Sequence, residues 1–346
     1  MPGPDSEAKF CADSRSAFVK VPKIQQERAP SMSFGAASTA EEVVRGISLA
    51  GKVCVVTGSS AGIGVETVRA LATAGATVVM AARDAAKNEQ IANAIRAATP
   101  GARLEPVRLD LSDLAGVREA ARAVRAQHPR IDILINNAGM LGGPRTLTQE
   151  GAELHFATNH LGPFLFTNLL LPELKAAAPS RIVVLSSNAH RMGGLDFDDL
   201  TFVKRPYEHW AAYSQSKMAN MLFTTGLAKR LKGSGVTVNA VHPGVIVTEV
   251  FRSVPREEQD RVTGWSEQMG SPVKTPAQGA ATQVWAATAP ELANVSGLYL
   301  EDCHIAEDIP ASTLSIAGAA PEGRDAARAE RLWEVSERLV GETFAA

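Results

Sequence analysis

Thr57-Gly58-Ser59-Ser60-Ala61-Gly62-Ile63-Gly64 follows a short apolar run, Val53-Cys54-Val55-Val56, and precedes a segment of helical period over 63–74 that Gly75 ends. An apolar run of this length without alternation is what a strand covered on both faces requires. Glycines between such a strand and a helix permit a tight turn and let the backbone approach a pyrophosphate with no Cβ in the way. The following helix then offers unpaired N–H groups and the positive end of its dipole to phosphates. The spacing is G-x-x-x-G-x-G, and the Gly-Lys-Ser/Thr of a P-loop is missing, which argues against a nucleoside triphosphatase. Two readings of the loop compete: a dinucleotide cradle, with Gly58, Ser59, Ser60, Gly62, Ile63 and Gly64 at the phosphates, or a plain strand–helix turn.

On both sides of this stretch the element types alternate. Upstream, Thr39-Ala-Glu-Glu42 predicts a short helix, with Thr39 as N-cap and Glu42 closing a capping box. Downstream, strands are expected at 77–82, 103–109, 131–135, 181–185 and 236–241, and helices at 84–98, 114–127, 152–175 and 210–231. Strands alternating with helices imply right-handed βαβ units, hence an α/β fold: a single Rossmann-like, doubly wound parallel sheet flanked by helices. No second set and no internal repeat is present, so residues 39–346 read as one domain. Residues 1–38 mix Gly, Pro, Ser and charges without a period and read as a disordered or weakly ordered extension.

Composition narrows the function. The apolar fraction is 45% and the charged fraction 21%, ordinary for a soluble globular chain. Lys plus Arg is 35 and Asp plus Glu 37, a net charge of −2, which argues against a protein whose work is neutralising nucleic-acid phosphates. Cys11, Cys54 and Cys303 are far apart, so neither a zinc cage nor a disulfide framework is expected, and no metal site is assigned. No apolar run reaches the roughly 20 residues of a membrane helix, and residues 1–30 lack a signal-peptide core. These features predict a cytoplasmic protein with reduced thiols.

The end of the second strand bears on which dinucleotide fits. An acidic residue there bonds the ribose 2′-hydroxyl and repels a 2′-phosphate. This chain has Ala81-Ala82-Arg83, which removes the acid and supplies a guanidinium suited to phosphate. NADP(H) is therefore favoured over NAD(H), the competing reading being that Arg83 only pairs with neighbouring Asp84. Farther along, Tyr213-Ser-Gln-Ser-Lys217 places a phenol and an ammonium at i,i+4 on one helix face. A phenol of ordinary pKa about 10 is a poor base at neutral pH, and a neighbouring cation lowers it. Such a pair suits proton exchange with an alcohol or carbonyl oxygen. The alternative is a half-buried Tyr beside a solvated Lys.

Taken together, these motifs resemble the short-chain dehydrogenase/reductase superfamily over roughly residues 50–300. The loop 57–64 is similar to its cofactor loop, and Asp110-Leu111 to the step that meets the adenine. Asn136-Asn137-Ala138-Gly139 is similar to the turn after the fourth strand. Pro243, Gly244, Val245 and Thr248 are similar to the loop over the nicotinamide. The resemblance implies a catalytic set of Asn159, Ser187, Tyr213 and Lys217. It casts Tyr213 as proton donor or acceptor, and Lys217 as the group that holds the ribose and lowers the Tyr213 pKa. Ser187 would orient the substrate oxygen, and Asn159 hold a water linking Lys217 to solvent. Within the superfamily, Asn159-His-Leu-Gly-Pro163, Ser187-Asn-Ala-His190 and Ser296-Gly-Leu-Tyr-Leu-Glu-Asp-Cys303 resemble the retinol-dehydrogenase-like branch, which includes the oxidoreductase domain of WW-domain-containing oxidoreductases. Unlike that branch's membrane-bound enzymes, the chain is expected to lack an N-terminal anchor, and no WW module is expected before the domain.

Substrate loops are expected at 188–212 and 245–275. Leu195, Phe197, Phe202, Tyr207 and Trp210 would form a wall, and Phe251, Trp265 and Met269 part of a lid, unless these aromatics simply pack helices. Apolar pockets imply a small apolar alcohol, aldehyde or ketone as partner. The leading function is an NADP(H)-dependent oxidoreductase. A non-catalytic dinucleotide-binding sensor or scaffold, or a dehydratase or epimerase on the same scaffold, are the alternatives.

Overall fold

The computed structural model describes residues 34–345. The expectation for residues 1–33 lies outside the described residues. Residues 34–38, counted with the extension in the sequence reading, belong instead to the folded body. Phe34 packs against one core layer, and the Ser38 N–H closes a turn onto the Gly35 carbonyl (3.0 Å). One half-buried aromatic supplies the anchor that the polar composition around it concealed.

Helix α1 (Ala40–Val44) is capped as expected: the Thr39 hydroxyl and the Glu42 carboxylate each accept the other's backbone N–H. Then follow β1 (Val53–Thr57), α2 (Gly62–Thr73), β2 (Thr77–Ala82), α3 (Ala85–Ala98), β3 (Arg103–Arg108), α4 (Leu114–Gln127) and β4 (Ile133–Asn136). The second half comprises α5 (Leu154–Phe156), α6 (Gly162–Ala177), β5 (Ser180–Leu185), α7 (His209–Arg230) and β6 (Val236–His242). After these come α8 (Arg256–Gln268), α9 (Pro276–Gly279), α10 (Ala281–Thr288), β7 (Tyr299–Glu301), β8 (His304–Ile305) and α11 (Ala326–Val340). The elements after β6 were not resolved in the sequence. The single helix expected at 152–175 is interrupted: α5 runs into α6 through a π-helical stretch, Ala157–Leu161. Such widened turns mark functional positions, and Asn159 sits in this one.

The eight strands lie in the order β3-β2-β1-β4-β5-β6-β7-β8, parallel up to β7, with β8 antiparallel at the edge. Side chains alternate between two covered faces. Val55 and Leu134 enter the layer of α4, α6, α7 and α11, whereas Val56 and Ile135 enter that of α1, α2 and α10. From β1 the chain winds one way to β2 and β3; from β4 it winds the other way. The turns after β1 and β4 therefore diverge and leave a crevice at the carboxyl ends of the strands, where α/β sheets bind ligands. No helix among the described residues is long and apolar enough to cross a membrane.

Candidate active site

A cavity of about 1060 Å³ fills this crevice. Its wall includes Gly58, Ser60, Gly62, Ile63, Arg83, Asp110, Leu111, Asn137, Ala138, Gly139, Ser187, Tyr213, Lys217, Pro243, Gly244, Val245 and Thr248. Four residues expected at the site, Ser59, Gly64, Asn136 and Asn159, stand behind the wall instead.

The glycine loop is shaped by exclusion. Gly58 has φ +70°, and a Cβ there would come 2.8 Å from the Ala138 Cα; at Gly64 it would stand 2.1 Å from the Gly58 carbonyl oxygen. Only glycine fits either position. Ser59 turns away: its buried hydroxyl donates to Asn88 Oδ1 (2.9 Å) and ties the loop to α3. The neighbouring turn is locked to β1. Thr57 Oγ1 accepts the N–H groups of Asn137 and Ala138 (both 3.0 Å), and Asn137 Nδ2 donates to the Thr57 carbonyl (2.8 Å). Asn136 donates to Thr167 Oγ1 (2.7 Å) within the core and holds the turn from below.

At the far end of the cavity Arg83 is exposed, and among the described residues it forms no ion pair with Asp84. Asp84 caps α3, accepting from the Lys87 N–H (2.9 Å). Lys87, one helical turn beyond Arg83, also lines the cavity, and its ammonium pairs with Glu249 on the far side. The sequence reading missed Lys87, although its i+4 spacing from Arg83 was visible. Asp110 Oδ1 accepts both the N–H (3.0 Å) and the hydroxyl (2.6 Å) of Ser112, which fixes the turn after β3.

The catalytic candidates meet at the inner wall. Helix α7 presents Tyr213 and Lys217 one turn apart, with Lys217 Nζ 5.5 Å from the phenol ring centre. Ser187, two residues past β5, lines the cavity with Tyr213, and its hydroxyl donates to Asn188 Oδ1 (3.2 Å) and accepts from the Ala189 N–H (3.2 Å). Asn159 braces these groups from behind: its Oδ1 accepts the Met140 N–H (2.8 Å), and its Nδ2 donates to the Met140 carbonyl (3.0 Å) and to Ser216 Oγ (2.9 Å). Burial pushes the Tyr213 pKa up to about 12, partly offset by Ser187, and pulls Lys217 down to about 8. Burial is the larger influence on the phenol in this arrangement. The ammonium is engaged with the Leu185 carbonyl (3.0 Å), and loss of solvent dominates both groups.

The substrate side departs most from expectation. Of the five residues expected as a wall in 188–212, only Trp210 reaches the cavity. Leu195 and Phe202 are buried, and Phe197 lies under Arg331 (4.5 Å). Tyr207 packs edge-on against Phe202 (5.5 Å between ring centres). These side chains anchor an irregular segment to the body, a demand that aromatic content alone does not distinguish from ligand binding. In 245–275, Phe251 and Trp265 line the cavity and Met269 does not. Helix α8 closes this side. Its Glu258 accepts hydrogen bonds from His209 Nε2 (3.0 Å) and Trp210 Nε1 (2.8 Å), which hold its carboxyl below the usual range.

Among the described residues no group of three or more His, Cys, Asp or Glu could hold a metal. Residues 52–259 match the family described as short chain dehydrogenase. The chain is 44% identical over 298 residues to retinol dehydrogenase 13 of Homo sapiens, covering 85% of this chain and 86% of that protein. It is 39% identical over 306 residues to retinol dehydrogenase 14 of Mus musculus, covering 84% and 86%. Among solved structures, an uncharacterised protein from Mycobacterium paratuberculosis superposes with TM-score 0.68 at 34% identity, covering 89% of this chain and 99% of the other. The Pseudomonas aeruginosa RhlG/NADP active-site complex does so with TM-score 0.59 at 30% identity, covering 73% and 95%. This chain belongs to the short-chain dehydrogenase family.

Proposed function

We propose that the protein is an NADP(H)-dependent carbonyl reductase that interconverts an apolar alcohol and its aldehyde or ketone. The carrying observation is the convergence of Ser187, Tyr213 and Lys217 at one end of a cavity whose other end is a glycine cradle. The residues present fit a nicotinamide dinucleotide. Gly58 and Gly62 line the cavity at the amino end of α2, whose first N–H groups suit a pyrophosphate. Arg83 and Lys87 offer two cations where a 2′-phosphate would lie. Asp110 and Leu111 would hold the adenine, and the segment Pro243–Val245, with Thr248, the nicotinamide end. When bound, the dinucleotide supplies or takes up the hydride.

The chain's own residues handle the oxygen and its proton. Tyr213 keeps its proton at neutral pH, well below the value of about 12 that burial gives it, so it serves as donor to a carbonyl oxygen. The Ser187 hydroxyl orients the same oxygen, and Lys217 stabilises the phenolate left after proton transfer. Trp210, Phe251, Val262 and Trp265 exclude water and receive an apolar body. That two of the similar proteins are named retinol dehydrogenases supports a substrate class of long apolar aldehydes, retinal included.

The test is NADPH and NADH oxidation by the purified protein against hexanal, decanal, benzaldehyde and all-trans-retinal. The expected result is turnover that rises with apolar size and is at least about tenfold faster in kcat/KM with NADPH. Binding of dinucleotide without turnover of any carbonyl would contradict it and favour a sensor or scaffold.

A further inference from the structure

We propose that His190 is a positioning residue that fixes Ser187 through its backbone and ties the catalytic serine to the C-terminal segment. The inference rests on the assignment of Ser187 made above. Ser187 caps a 3-10 turn, Asn188–Arg191, that directly follows β5. His190 is fully buried in this turn, with its ring against that of Tyr299 (centroids 4.9 Å apart). Its Nε2 lies 2.9 Å from the Ala320 backbone nitrogen. A backbone N–H only donates, so Nε2 must accept and carries no proton. The proton of the neutral ring is therefore on Nδ1, which faces the Ser187 carbonyl oxygen and donates to it. One tautomer alone satisfies both partners.

The consequence for the site is geometric. The Nδ1–H bond joins the His190 backbone N–H (3.1 Å) in holding the Ser187 carbonyl, while the Ser187 hydroxyl accepts from the Ala189 N–H (3.2 Å) at the cavity wall that Tyr213 shares. The next residue repeats the attachment. Arg191 donates to the carbonyls of Ile309 (2.7 Å), Pro310 (3.1 Å) and Thr313 (2.9 Å). Two consecutive side chains thus fasten the serine turn to residues 309–320. Burial supports the neutral ring, pulling the His190 pKa down to about 4.

Two substitutions separate positioning from packing. In His190→Asn, the amide nitrogen falls where Nδ1 stood and still donates to Ser187. In His190→Gln, the amide oxygen falls where Nε2 stood and still accepts from Ala320. Steady-state reduction of decanal by NADPH, NADPH affinity and melting temperature are measured for both, with Ser187→Ala alongside. Both histidine variants should lose a similar amount of melting temperature and bind NADPH within about twofold of wild type. Only His190→Gln should lose kcat, by roughly 10- to 100-fold, as expected for a reacting group displaced by a fraction of an ångström. His190→Asn should stay within about threefold. In the wild type, imidazole ¹⁵N signals should show the proton on Nδ1. Equal losses of kcat that track melting temperature, or a proton on Nε2, would overturn the inference while leaving the site assignment intact. Full activity in Ser187→Ala, or a wild-type protein that reduces no aldehyde, would overturn the site assignment and the inference with it.

Discussion

The two halves of the cavity are built in different ways. The cofactor half is built on short turns at the carboxyl ends of strands, those after β1 and β4 held by hydrogen bonds between the side chain of one and the backbone of the other and by glycines with no room for a Cβ. The substrate half consists of two long connections held by side chains from remote positions. Trp210 meets Glu258 across 48 residues, and His209 meets the same carboxylate across 49. Groups fixed by strand register have little freedom, whereas groups fixed by side-chain pairs can move with their partners. The half proposed to hold the dinucleotide is built on strand ends and glycines. The half proposed to receive the substrate is latched by side chains.

This contrast can be broken most severely at the seam between the halves. Lys217→Met should reduce carbonyl turnover by about 10²–10⁴-fold and weaken NADPH binding together. The wild-type rate should also fall as pH rises through about 8, because Lys217 is charged below that value and neutral above it. A Lys217→Met enzyme that keeps this limb in its pH profile would assign it elsewhere. Within the cofactor half, Gly64→Ala forces a methyl against the Gly58 carbonyl. Overpacking of this kind costs about 1–3 kcal/mol of folding stability, read as a lower melting temperature, and the displaced loop should bind NADPH more weakly by titration. Arg83→Ala should cost about 1.5–3 kcal/mol in NADPH binding, the range for a hydrogen bond to a charged group, and leave NADH little changed. Equal losses for both cofactors would show that Arg83 does not read the 2′-phosphate. In the latched half, Glu258→Ala releases α8 from His209 and Trp210. It should raise the KM for decanal about fivefold, near 1 kcal/mol, with NADPH affinity unchanged.

Legibility in the sequence follows the same division. The strand–glycine–helix stretch, the Tyr213–Lys217 spacing and the capping box at Thr39 are local patterns, and each stands in the structure where the sequence put it. Behind-the-wall roles were not visible. Ser59 and Asn136 look like ligand contacts in sequence, yet their side chains bond Asn88 and Thr167, partners known only once the chain is folded. The π-helical stretch was hidden because Ala157-Thr-Asn-His-Leu161 is compatible with an ordinary helix, and only packing widens it. Leu195, Phe197, Phe202 and Tyr207 were misplaced for a related reason. Hydrophobicity shows that a residue seeks cover, not whether a substrate or the protein provides it.

The most direct measurement is the single-turnover rate of Tyr213→Phe with NADPH and decanal, paired with its NADPH affinity. The substitution keeps the ring that packs in α7 and deletes only the hydroxyl. NADPH affinity should remain within about twofold of wild type, and the single-turnover rate should fall at least about 100-fold, as for a lost general acid. A rate near that of the wild type would contradict the assignment of Tyr213 as the proton donor.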